Sequence, residues 1–174
     1  MAAESSDRHA VVVVGIHGGR AAVAAMSRAL AEARAVSGLV EMVTAWTARD
    51  VADAPSLWAA GREARRRAVA HQRAAVAACG DAGGVLITGV VAEGRPQDLL
   101  LLAGRGAACV VLGRSVGGRS SITRTCAAGL ECPVLEARAD APAHVPRQRS
   151  AVPSVGDRLS PDVGSRSRRG RRMA

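Results

Sequence analysis

Ala10-Val11-Val12-Val13-Val14-Gly15-Ile16 decides how the rest of the chain reads. It is apolar at every position, and its core is a string of four β-branched valines. A strand with one wet face alternates apolar and polar side chains. A run without alternation is apolar on both faces, as a strand in a parallel sheet covered by helices must be. Ala108-Cys109-Val110-Val111-Leu112 repeats the pattern a hundred residues later, so two strands of one such sheet are marked.

The intervening chain supplies helices in alternation. Arg20 to Ala35 places Val23, Met26, Leu30 and Ala33 at spacings of three and four, the helical period, and Gly38 stands where the helix would end. Leu39–Trp46 is a second strand. Asp53 and Pro55 fit the start of a second helix that runs to Cys79, with Gly80 after it. Its expected buried stripe is Leu57, Trp58, Ala64, Ala68, Val69, Ala75 and Val76, with Arg62, Arg65, Arg66 and Arg73 on a solvated side. Val85–Val91 is a third strand. Pro96 opens a third helix, through Arg105, in the first turn where its missing N–H costs least. After the strand at Ala108–Leu112 comes a glycine-rich loop, Gly113–Arg119, and Ser120 or Ser121 caps a short fourth helix ending at Gly129. Cys132–Ala137 is a fifth strand, with Pro133 near its start. Five strands alternating with four helices predict an α/β fold: a single five-stranded parallel sheet with helices on both faces.

The alternation covers residues 9–138. From 139 to 174 the chain has scattered Pro, Gly and Ser and no apolar period. That segment holds 8 Arg against 3 Asp, so about half of the chain's formal charge of +9 lies there, ending in Arg166–Arg172, RSRRGRR. It reads as a disordered C-terminal tail, with nonspecific contact to nucleic acid as its sharper function.

Composition excludes several chemistries. All 24 basic residues of this 174-residue chain are Arg, which removes lysine Schiff bases and lysine phosphate loops. Of the apolar residues 37 are Ala, and aromatic side chains are limited to Trp46 and Trp58, both expected in a core or an interface. Cys79, Cys109, Cys126 and Cys132 form no CxxC pair and no zinc spacing with the four His, so free thiols and no metal are expected. Cys109 and Cys132 are read as buried and inert, and Cys126 as a lesser redox candidate. The first seven residues lack a signal design, and no apolar run reaches the ~20 residues of a membrane span, which points to a cytoplasmic protein with no membrane partner.

In such a sheet, ligands bind beyond the carboxyl ends of strands where strand order reverses. Two loops there are rich in glycine. The first holds Ile16, His17, Gly18 and Gly19; the second holds Gly113, Arg114, Gly117 and Gly118, followed by Ser120, Ser121 and Thr123. Bare backbone N–H groups, a helix N-terminus, hydroxyls and two guanidiniums make an anion cradle. No acid or nucleophile accompanies His17, so catalytic residues are not assigned.

These same stretches resemble the universal stress protein family. VVVVGIHGG, then MVTAW, then GVVAEGRPQDLLLLA, then GRSVGG…SSIT…CPVLEAR follow the family's order over roughly residues 9–138. The resemblance implies strand order 3-2-1-4-5, homodimers paired through the fifth strand, here Cys132–Ala137, and in many members ATP across the ends of strands one and four. Two departures bear on ATP. The family's Asp-Gly-Ser after strand one is His17-Gly18-Gly19, which removes a nucleotide contact. Its G-x2-G-x9-G-[ST] loop begins at Gly113 but is six residues short before Ser120-Ser121. The expected function is a non-enzymatic stress-response module, homodimeric, binding ATP or another adenine nucleotide weakly or not at all. The alternatives are a slow ATPase or nucleotidyl-transferring enzyme of the same superfamily, and an adaptor contacting nucleic acid through 139–174.

Overall fold

A computed structural model of the chain describes residues 9–114 and 121–139. Strands and helices alternate along it: β1 (Val11–Gly15), α1 (Gly19–Ala35), β2 (Leu39–Trp46), α2 (Leu57–Cys79), β3 (Ile87–Glu93), α3 (Pro96–Ala103), β4 (Cys109–Arg114), α4 (Ser121–Gly129) and β5 (Val134–Arg138). All four strand pairings are parallel, and the order is β3-β2-β1-β4-β5. This is the expected single five-stranded sheet, in the order the resemblance implied. The tail beyond Ala139 and the loop segment 115–120 lie outside the described residues.

The unbroken valines have their physical reason in two cores. Val12 and Val14 pack with Met26, Leu30 and Ala75 under α1 and α2. Val13 points the other way and packs with Leu100, Val110 and Cys126 under α3 and α4. With helices on both faces, Val12, Val13 and Val14 are all fully buried, so no polar residue is tolerated at those positions.

Several boundaries differ from the sequence expectation. α1 does not end on a left-handed glycine: Ser37 takes the positive φ of 51°, and the Gly38 N–H donates to the Ala33 carbonyl at 2.8 Å. Gly38 is needed because a Cβ there would run into the Ala10 carbonyl. α2 starts at Leu57, not near Asp53, because the Ser56 hydroxyl accepts from the Ala59 N–H at 3.2 Å. Before it lies a 3-10 turn at Ala48–Asp50, closed by the Thr47 N–H donating to Asp50 Oδ2 at 2.7 Å. β3 begins at Ile87 rather than Val85, since Asp81–Gly84 forms a turn in which the Gly83 N–H donates to Asp81 Oδ1 at 2.8 Å. β5 begins at Val134; Cys132 precedes it, with Sγ 3.6 Å from the Gly104 carbonyl.

The buried face of α2 contains the expected Ala64, Ala68 and Ala75 but differs at its opening turn. The row against the sheet is Ala60, Ala64, Ala68, Gln72 and Ala75, small residues that let the helix lie close. Leu57 and Trp58, expected in the stripe, are exposed. Trp58 is rotated off the row at 100° per residue, and Leu57 occupies the opening turn. Trp46 is half-buried and packs against Gly61.

Candidate functional site

Because the chain runs β1-β2-β3 in one direction and then crosses to β4-β5, the order reverses between β1 and β4. Their carboxyl ends, paired up to Gly15↔Leu112, form the topological switch point. Ile16 continues β1: it is buried, and its N–H donates to the Val43 carbonyl at 3.0 Å. His17 follows and is exposed. Gly18, at φ 100°, then turns the chain into α1, whose first residue is Gly19 at φ 70°. Both conformations favour glycine. Among the described residues, no atom lies within 4 Å of where a Cβ on Gly19 would stand. The first N–H groups of α1 therefore meet the switch point with no side-chain cap among the described residues.

Gly18 has a second role. A Cβ there would stand 3.0 Å from the ring of His71, a residue of α2 that sequence reasoning passed over. His71 and His17 meet edge to face, ring centroids 6.5 Å apart, so two imidazoles share the mouth of the site. The height of α2 is fixed one residue on. Gln72 Nε2 donates to Thr44 Oγ1 at 3.1 Å and to the Val90 carbonyl at 2.9 Å. Gly89 makes room for its Oε1, which a Cβ would approach to 2.5 Å. A polar residue in an otherwise apolar helix row was the available signal for Gln72; nothing local marks His71.

On the β4 side the placements are mixed. Arg114 ends β4, and its Nη1 lies 3.7 Å from Glu136 Oε2 on β5, so a neighbouring carboxylate already shares its charge. Gly113 is explained by packing: a Cβ there would run into the Ala21 carbonyl of α1. Ser121 is exposed at the start of α4, whereas Thr123 is buried. Gly117, Gly118 and Ser120 lie outside the described residues.

All four cysteines are free. Burial pushes the Cys109 thiol up to about 11 and raises that of Cys126 as well, so neither is a ready thiolate. Among the described residues no cluster of three or more His, Cys, Asp or Glu could hold a metal ion, and no helix is long and apolar enough to cross a membrane.

Several solved structures that match this chain are universal stress proteins. One, in complex with cAMP, is 25% identical with a TM-score of 0.50, over 76% of this chain and 99% of that one. Another, from Archaeoglobus fulgidus in complex with dAMP, is 19% identical with a TM-score of 0.50, over 75% and 98%. UspA from Lactobacillus plantarum is 16% identical with a TM-score of 0.55, over 76% and 100%. No protein-family model and no curated protein matches the sequence. The solved chains are covered almost end to end at low identity, and this chain accordingly carries the universal stress protein fold in a divergent form.

Proposed function

We propose that this chain is a non-enzymatic stress-response module of the cytoplasm, acting as a homodimer and binding an adenine nucleotide weakly at the β1–β4 switch point. One observation carries the reading: the N-terminus of α1, which no side chain among the described residues caps or crowds at Gly19, stands where ligands of this sheet type bind. The residues fit the phosphate end of a nucleotide. Main-chain N–H groups at Gly19 and beyond, the exposed imidazole of His17 and the neighbouring His71 present donors to an anion. The nucleotide complexes of two proteins with this fold, with cAMP and with dAMP, support adenine as the base.

Weakness follows from what replaces the family's contacts. A lost charge-assisted or hydrogen-bonded contact is worth ~1.5–3 kcal/mol, roughly 10- to 100-fold in affinity, and His17 stands where the family's Asp would be. Arg114 offers less than a free guanidinium because Glu136 shares it. Calorimetric titration with ATP, AMP and inorganic triphosphate tests the reading. Expected is binding weaker than micromolar, similar for ATP and triphosphate, and weakened further by salt. Micromolar ATP binding with triphosphate inert would mean an intact base and ribose pocket; no heat with any of the three would remove nucleotide binding.

A further inference from the structure

We propose that the outward face of α2 binds single-stranded nucleic acid, with Trp58 as the stacking platform and Arg62, Arg65 and Arg73 as phosphate contacts. The surface is separate from the switch point and does not depend on its ligand. Along α2 there are five Arg and one acidic residue, Glu63. Glu63 is taken up by Arg66 and Arg67, whose hydrogen bonds hold its carboxyl below the usual range. Among the described residues Arg62, Arg65 and Arg73 have no carboxylate partner, so their charge is unmatched. Spaced at 58, 62, 65 and 73, the Trp and these three Arg fall within an arc of about 80° at 100° per residue, away from the alanine row on the sheet. The stripe runs for ~22 Å along the helix axis.

Trp58 decides the class of partner. It is 70% exposed although it is one of only two aromatic residues in an anchor-poor chain, and Leu57 beside it is 78% exposed. The Arg62 guanidinium carbon lies 4.3 Å from the indole centroid, a cation–π contact that joins the ring to the basic stripe. An acidic protein surface would satisfy the arginines and leave the indole unused. A duplex offers phosphates but keeps its base faces stacked inside. A single strand supplies both a backbone of phosphates and free base faces, and stacking on an aromatic needs no particular sequence. Arginine suits this role through its flat, multidentate donors.

The test uses the full chain and a fluorescein-labelled 15-mer of thymidine, read by anisotropy across a salt series, with polyglutamate as competitor. Expected is binding that weakens with salt. Trp58→Ala should weaken it about 5- to 150-fold, the range for loss of one stacked base. Arg62→Gln/Arg65→Gln/Arg73→Gln should lower the steepness of the log–log salt dependence by about 2, at ~0.7 per single-strand phosphate. All four positions are exposed, so unchanged melting curves serve as the control for folding. Absence of binding at low salt overturns the proposal. So does binding that survives both variants unchanged, which would place the contact on other basic residues. Equal competition by polyglutamate with Trp58→Ala silent would make the partner an acidic protein instead.

Discussion

At Gly113 the backbone of β4 passes so close to α1 that any side chain would run into the Ala21 carbonyl. Backbone cannot swing aside as a flexible side chain can, so the strain must spread into the helix–sheet packing. Gly113→Ala should cost about 1–3 kcal/mol, seen as a lowered thermal midpoint with no change in the salt dependence of nucleotide binding. A selective loss of ligand affinity at unchanged stability would instead make Gly113 a phosphate contact. The glycines were legible as a pattern, but their reasons were not. Gly18 makes way for His71 and Gly89 for Gln72, partners that lie far along the chain. Residues that meet only after folding leave no spacing to read. Thr123 illustrates the same limit: its hydroxyl follows the serines in sequence, yet the turn of α4 carries it into the buried side.

At the scale of the element, α2 shows how a helix can be found and one end of its face misjudged. Its existence followed from length and composition, and its end at Cys79 from Gly80, which does take a positive φ of 67°. Its start did not follow, because Asp53, Pro55 and Ser56 all have the chemistry of a helix opening and only the Ser56 hydroxyl closes on the helix. Ser56→Ala should destabilise the domain by about 1 kcal/mol, measured as a lower urea midpoint with an unchanged slope. Ala64, Ala68 and Ala75 lie on the buried row as expected, and the error is confined to Leu57 and Trp58, whose size was taken as a sign of burial. In a chain this rich in alanine, close approach is made by Ala60, Ala64 and Ala68, and Trp58 is left outside.

For the whole molecule, the sheet type and the alternation of its elements were legible because a doubly covered strand has an unmistakable composition. The strand order was not contained in that pattern; it came with the family resemblance, and the pairing of β1 with both β2 and β4 agrees with it. β5 ends the sheet at one side, with Val134 and Leu135 only half-buried. Edge strands carry unpaired main-chain groups that a second copy can cover, which is the basis for the proposed homodimer. Sedimentation should give a dimer for the native chain and a lighter species for Val134→Arg. A native chain that sediments as a monomer at micromolar concentration would remove this assembly.

The central place of β1 has a kinetic consequence. Val12 meets Val40 on one side and Cys109 on the other, so one edge of the valine strand can close early during synthesis and the other only after most of the domain has left the ribosome. Through that interval the nascent chain carries an apolar strand with an open edge, the kind of segment that pairs between molecules. Aggregation during refolding is then governed by how fast β4 docks rather than by the depth of the native energy well.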